Sequence, residues 1–298
     1  MVLVRRFVIQ VKFARRSFLF FSLQACYSSF MAWQYELNIL TAAIRAAGKE
    51  AVRIAAAGFE TVQKADHSPV TSADLAVNQI LQTQLQSAFP EDGWLSEESP
   101  DDLNRLQRAR VWVVDPIDGT KAFIKGEPEF CISVALIEQS RPIVAAIFNP
   151  SLDELYTAIR GGGLYLNAEL VTPPPTHGDQ QPIIAMSPWE QQIGRFPSLD
   201  GIVRSRPMRS IAWALALTAG GRIQGLATLE PENEWDIAAG TLLIEESGGG
   251  VSDGSGRALT FNQTKPRYQG TIAIGARCPE SLRQRLTLLT QVGMDSGE

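Results

Sequence analysis

Ten consecutive residues constrain this chain more than any others: Val111-Trp-Val-Val-Asp-Pro-Ile-Asp-Gly-Thr120. The first four are apolar and three of them are β-branched. Such side chains pack well on a pleated surface, so residues 111–114 read as a short buried strand. Pro116 cannot donate to a ladder and biases Asp115 towards extended backbone, so the strand is expected to stop at Asp115. Asp118, Gly119 and Thr120 then demand a sharp turn where two carboxylates are concentrated. Those acids repel each other unless something positive lies between them, and hard divalent cations such as magnesium take oxygen ligands. An ordinary Asp-Pro and Asp-Gly turn fits the same residues equally well. Taken alone, the stretch leaves the turn and the metal site open.

Few other groups are available for chemistry. The 298 residues hold only His67 and His177, and three scattered cysteines, Cys26, Cys131 and Cys278. Neither a disulfide framework nor a thiolate zinc site is indicated, so carboxylates and metal must carry any reaction. Arg5, Arg6, Lys12, Arg15 and Arg16 lie in residues 1–30 with no acid, which leaves a net −10 on the remainder against −5 for the whole chain. That balance argues against non-specific binding of nucleic acid by the body.

Residues 1–30 differ from the rest. Ala14-Arg-Arg-Ser-Phe-Leu-Phe20 is similar to a twin-arginine export signal and Leu23-Gln-Ala-Cys26 to a lipoprotein cleavage site, but the apolar run 18–21 is too short for a signal core. Two readings stand: a targeting segment, or an assigned start upstream of the true one at Met31. The second gives a cytoplasmic protein. No stretch is long and apolar enough to span a membrane.

From Leu37 to Ile54, apolar residues step by three and four, giving a helix that Gly58 ends. Residues 64–71 form a polar connection, and Thr71 or Ser72 caps a helix running to about Phe89, with Asp74 in its first turn. An exposed polar helix is expected at 101–108. Strands follow at 130–138, 143–148 and 155–159, then a hairpin at 164–167 after the glycine triplet 161–163, read as a turn. Residues 171–177 read as a stiff linker. Beyond it, strands at 183–186, 226–229 and 271–274 alternate with helices at 210–219, 235–247 and 280–292. This pattern predicts layered α/β architecture, with an N-terminal subdomain at 31–176 and a C-terminal one at 177–298.

The acids Asp74, Glu97, Glu98, Asp115, Asp118 and Asp236 all sit at boundaries of these elements, each beside an apolar run. A buried unpaired carboxylate is costly, and two metals held by such a cluster are a recognised solution for phosphoryl transfer. Glu97-Glu98, Asp115-Pro-Ile-Asp-Gly-Thr120 and Trp235-Asp-Ile-Ala-Ala-Gly240 resemble the three signatures of the inositol monophosphatase superfamily of magnesium-dependent, lithium-sensitive phosphatases. Ser68-Pro-Val-Thr-Ser-Ala-Asp74 is similar to its upstream segment. The likeness runs in order from about residue 32 to the last helix.

The resemblance implies the αβαβα sandwich of the sugar phosphatases, and roles for individual residues. Glu97, Asp115 and the Ile117 carbonyl would hold one magnesium ion; Asp115, Asp118 and Asp236 a second; Asp74 would assist a weaker third. Thr120 and Glu97 would orient the attacking water. The amides of Gly119 and Thr120 would bind phosphate, with Lys121 and Asp236 also towards substrate. The segment Lys121 to Lys125 resembles the 3'(2'),5'-bisphosphate nucleotidase branch, as does Pro231-Glu-Asn-Glu-Trp-Asp236. That implies a small phosphorylated partner, adenosine 3',5'-bisphosphate, cleaved to AMP. Against it, Ala214 stands where that branch carries lysine, unless Lys125, Arg209, Lys265 or Arg267 substitutes. Inositol-1-monophosphatase and histidinol-phosphatase are the rivals, and an inactive phosphate-binding homologue is the reading from outside the enzymes. The family implies a homodimer.

Overall fold

Alternation along one strand sets the layering. β3 (Gly93–Ser96) and β4 (Arg110–Asp118) run parallel. From β4, Trp112 and Val114 enter one core and Val111 and Val113 another, because successive strand residues point to opposite faces. β5 (Cys131–Glu138), β6 (Arg141–Asn149), β7 (Glu154–Ile159), β8 (Gly163–Leu166) and β9 (Glu169–Leu170) extend this sheet antiparallel in sequence order. Residues 33–65, 67–172 and 181–292 are described by the structure, a computed structural model. The expectations for residues 1–30 and for most of the proline linker lie outside them.

The Trp112 face packs under α1 (Gln34–Ala57) and α2 (Ser72–Ala88). On α1 the expected positions Leu40, Ile44, Ala47 and Ala51 are fully buried, and Gly58 ends the helix with φ of 92°. Two short helices, α3 (Thr120–Ile124) and α4 (Pro188–Gln192), lie between strands, and the opposite face packs against α5 (Ile211–Ala219) and α6 (Glu234–Glu246). Below these helices lies a second sheet, β11 (Arg204–Pro207), β10 (Ile183–Met186), β12 (Gly225–Asn233), β14 (Arg267–Ile274) and β13 (Gly250–Asp253), in that order. Ile184, Met186, Ala227 and Ile272 on its far face bury Leu282 and Leu286 of α7 (Glu280–Val292). Helices, sheet, helices, sheet and helix make the αβαβα sandwich.

Three local expectations are corrected. The strand from 110 does not stop at Asp115: it runs on to Asp118, and the pairing with β5 is irregular between those two residues, so Pro116 distorts the ladder without ending it. The polar connection at 64–71 contains a small hairpin, β1 (Thr61–Gln63) with β2 (Pro69–Thr71). The exposed helix at 101–108 is a 3₁₀ segment, Leu103–Gln107, whose Arg105 is buried. The glycine triplet is a turn as expected, and Glu246 accepts the amides of Gly161 and Gly163 at 2.7 and 2.8 Å. A carboxylate of the protein itself is the anion those amides hold.

The central helix layer mixes large apolar side chains with small residues. Ala212, Ala214, Ala216, Ala238, Ala239 and Gly240 are buried there, which lets α5 and α6 approach closely. A Cβ at Gly240 would stand 2.4 Å from the Leu215 Cβ. Gly240→Ala is therefore expected to force the helices apart at a cost of roughly 1–3 kcal/mol, read as a melting temperature lowered by several degrees in calorimetry.

Candidate active site

The site is assembled by helix starts and one irregular strand end. Thr71 caps α2: its Oγ1 accepts the Ala73 amide at 3.1 Å, and Asp74 Oδ2 accepts the Thr71 amide at 2.8 Å. Asn233 does the same for α6, donating its amide to Asp236 Oδ2 at 2.7 Å. Both acids are thus fixed as the third residue of a capping box. At the end of β4, Asp115 Oδ1 accepts the Ile117 amide at 3.0 Å. Gly119 then turns at φ of 93° into α3 (Thr120–Ile124). Any Cβ there would lie 3.0 Å from the Glu129 carbonyl oxygen, so only glycine makes this corner.

Around that corner the predicted acids come together. Asp115 is almost wholly buried, and burial, then Glu97, Asp118, Asp236 and Asp74, push its carboxyl well above the usual range. Burial, followed by Asp118 and Glu97, does the same to Asp236, although its bonds to Asn233 oppose the shift. Asp118 is pushed up to about 6 by burial, against the pull of bonds from Ser210 and Ala212. Those bonds are short: Ser210 Oγ and the Ala212 amide each donate to Asp118 Oδ2 at 2.6 Å. Thr120 Oγ1 donates to the Ile117 carbonyl at 3.1 Å and lies 3.3 Å from Asp74 Oδ1.

Oxygen donors alone, crowded and short of positive charge, fit a hard divalent cation. Among the described residues, however, no three acids, thiols or imidazoles stand already drawn in at metal-holding separations. Lys64 occupies part of the acid set. Its Nζ donates to Glu97 Oε1 at 2.8 Å and to Glu98 Oε1. Burial works against the ammonium, but the bonds to Glu97 and Glu98 outweigh it and raise the lysine above its ordinary value.

Lys64 and Ser210 had no assigned role in the sequence reading; neither belongs to an acidic motif, and their signal is only the polar connection and the helix start. Glu232 lies within the Pro231-Glu-Asn-Glu-Trp-Asp236 stretch. Burial raises its carboxyl well above the usual range, with the charges of Asp236 and Asp118 the next causes. Of the cations offered for a second phosphate, Arg209 pairs with Glu127 at 3.3 Å, while Lys125, Lys265 and Arg267 are exposed, as is Lys121. Ala214 is 6% exposed within the helix layer. Its side chain belongs to the core of this protein rather than to a charged rim.

Residues 33–286 match the sequence profile of the inositol monophosphatase family. An inositol-1-monophosphatase of Rhizobium meliloti (strain 1021) is 35% identical over 259 residues, which span 82% of this chain and 93% of that relative. The 3'(2'),5'-bisphosphate nucleotidase CysQ of Escherichia coli (strain K12) is 31% identical over 215 residues, 68% of this chain and 83% of the relative. Among solved structures, the extragenic suppressor protein suhB of Bartonella henselae superposes with a TM-score of 0.73 at 28% identity, covering 87% of this chain and 99% of its own.

A carboxyl whose folded-state pKa is raised contributes most to stability below its unfolded value, and that contribution is lost as pH rises through the folded value. For Asp118 the window runs from about 4 to about 6. Metal-free protein is therefore expected to melt several degrees lower at pH 7 than at pH 5, and added magnesium to raise the melting temperature more at pH 7. Calorimetry at both pH values, with and without chelator, checks this.

Proposed function

The chain belongs to the inositol monophosphatase family of metal-dependent phosphomonoester hydrolases, and from that premise we propose that it removes phosphate from a 3'(2'),5'-bisphosphate nucleotide, giving AMP from adenosine 3',5'-bisphosphate. The observation that carries the hydrolase reading is the set of three mutually repelling carboxyls, Asp115, Asp118 and Asp236, at one corner with Glu97 beside them. Glu97, Asp115, the Ile117 carbonyl, Asp118 and Asp236 would hold two magnesium ions, and Asp74 would assist a third. Magnesium there would supply activation of water and neutralisation of phosphate charge.

The residues of the chain do the rest. Thr120 is held by the Ile117 carbonyl and Asp74, and with Glu97 it orients the water that attacks phosphorus. As the water oxygen bonds to phosphorus, the ester bond breaks and the alcohol leaves with a proton. The Thr120 amide, and that of Gly119, which here bonds the Asp118 carboxyl, would meet the phosphate oxygens. Ser210 and the Ala212 amide keep Asp118 in one orientation. Positioning and preorganised charge account for the acceleration, with no covalent intermediate.

The nucleotide assignment rests on Lys121 and Lys125, exposed on the short helix that leaves the site and at its C-terminal cap. One observation favours a second reading, an inositol 1-phosphate substrate. Glu232, a carboxyl that burial and the charges of Asp236 and Asp118 hold towards its neutral form, offers a polyol hydroxyl both a hydrogen-bond donor and an acceptor and gives a second phosphate no cation. Phosphate release from adenosine 3',5'-bisphosphate, inositol 1-phosphate and histidinol phosphate, each with magnesium, separates these. The nucleotide is expected to be turned over at least about tenfold more efficiently, a difference of about 1.4 kcal/mol; preference for the inositol phosphate overturns the assignment. Asp118→Asn is expected to reduce kcat at least about 100-fold, a loss typical of one electrostatic group, with an unchanged circular dichroism spectrum. Wild-type turnover in that variant would remove Asp118 from the mechanism.

A further inference from the structure

A buried arginine joins the two stretches of chain that bring Glu97 and Asp236 to one place. Arg105 sits in the 3₁₀ segment with its side chain 1% exposed. Nε and Nη2 donate to the two carboxylate oxygens of Asp101 at 2.6 and 2.9 Å. Nη1 donates to Asn262 Oδ1 at 2.6 Å, and Nη2 also to the Gln263 carbonyl at 2.9 Å. Residues 262 and 263 in turn give their backbone amides to Glu234, at 2.6 Å to Oε2 and 2.9 Å to Oε1. Glu234 is fully buried at the start of α6. Six hydrogen bonds thus run from the segment after Glu97 to the helix that carries Asp236, with Asp101 four residues beyond the one acid and Glu234 two before the other.

Packing alone does not call for this arrangement. A desolvated guanidinium is costly, and an apolar side chain of similar volume fills such a space at no worse stability. What arginine adds is geometry, since a planar fork satisfies Asp101, Asn262 and Gln263 together in only one relative placement. Nearer Glu97 the segment is tied by Ser99, whose Oγ accepts from Asn78 Nδ2 at 3.0 Å and Trp94 Nε1 at 3.3 Å, while Glu97 itself is held by its amide on the Val114 carbonyl at 3.2 Å and by Lys64. Beyond Ser99, Asp101 and Asp102 are exposed, and Arg105 is what ties that end to the helix of Asp236.

We infer that Arg105 is a positioning residue: through Asp101 on one side and the 262–263 backbone on the other, it fixes the separation of Glu97 from Asp236 and so sets the affinity of the site for magnesium. The inference rests on the proposed magnesium site. Arg105 touches neither substrate nor metal, and its contribution is indirect in the way that outer-shell partners tune metal ligands.

Asn262 offers a clean test because its φ is 64°, a conformation glycine adopts freely. Asn262→Gly removes one acceptor from the guanidinium and leaves the backbone where it is. Calorimetric titration of the metal-free protein with magnesium chloride is expected to show a dissociation constant about tenfold higher than that of the parent, while the melting temperature without metal falls by only about 3 °C. Arg105→Lys, which keeps the buried charge but not the fork, is expected to show the same weakening. Glu245→Gln breaks the Arg160–Glu245 pair elsewhere on α6 and is expected to leave the constant unchanged. Parental affinity in both Asn262→Gly and Arg105→Lys overturns the inference alone. Equal weakening in Glu245→Gln overturns it too, by showing that any loosening of the helix suffices. A parent chain that binds no magnesium overturns the proposed function, and this inference with it.

Discussion

Repulsion among buried carboxylates is the constraint on which the rest of this structure depends. Asp115, Asp118 and Asp236 each have a carboxyl raised by burial and then by neighbouring acids, Glu97 among them in every case, and charges brought this close in a poorly solvated place destabilise the fold unless they are neutralised. The chain answers with local bonds to each acid: the Ile117 amide on Asp115, Ser210 and the Ala212 amide on Asp118, the Asn233 amide on Asp236, and Thr71 on Asp74. Lys64 supplies the positive charge at Glu97. These bonds hold the acids in place; they do not remove the excess charge. That excess is what makes the corner suited to divalent cations and to phosphate carried by them.

The fold makes such crowding affordable by placing the acids at the ends of elements rather than inside them. Asp74 and Asp236 occupy equivalent capping positions on two helices that belong to different layers, and Asp115 and Asp118 end the strand between those layers. Each backbone is anchored in a large apolar cluster a few residues away: Val77 and Leu81 beyond Asp74, Val113 and Val114 before Asp115, Ile237 and Ala238 after Asp236. The rigidity belongs to the layers, and the site inherits it.

Much of this was legible in the sequence because it depends on local patterns. The apolar steps along α1, the Thr71 and Asp74 capping pair and the valines before Asp115 each declare an element and the face it buries. The acids were legible as a group only through their shared habit of lying beside apolar runs. What the sequence left out depends on distant partners. Arg105 looked like one charge on an exposed helix, and only the fold places Asn262 and Gln263 against it. Ser210 announced a helix start but not that it would hold Asp118. Pro116 suggested a strand end, yet the ladder resumes at Asp118 opposite Cys131. A residue-by-residue reading of propensity has no access to such pairings across the chain.

The central claim is that these acids form one metal centre at the end of β4. A crystal grown with manganese in place of magnesium tests it most directly, because manganese scatters anomalously and takes the same oxygen donors. Peaks bounded by Asp115, Asp118, Asp236 and Glu97, with Lys64 Nζ withdrawn from Glu97, are the predicted result. A crystal of active protein with manganese bound elsewhere, and Lys64 still seated between Glu97 and Glu98, contradicts the account.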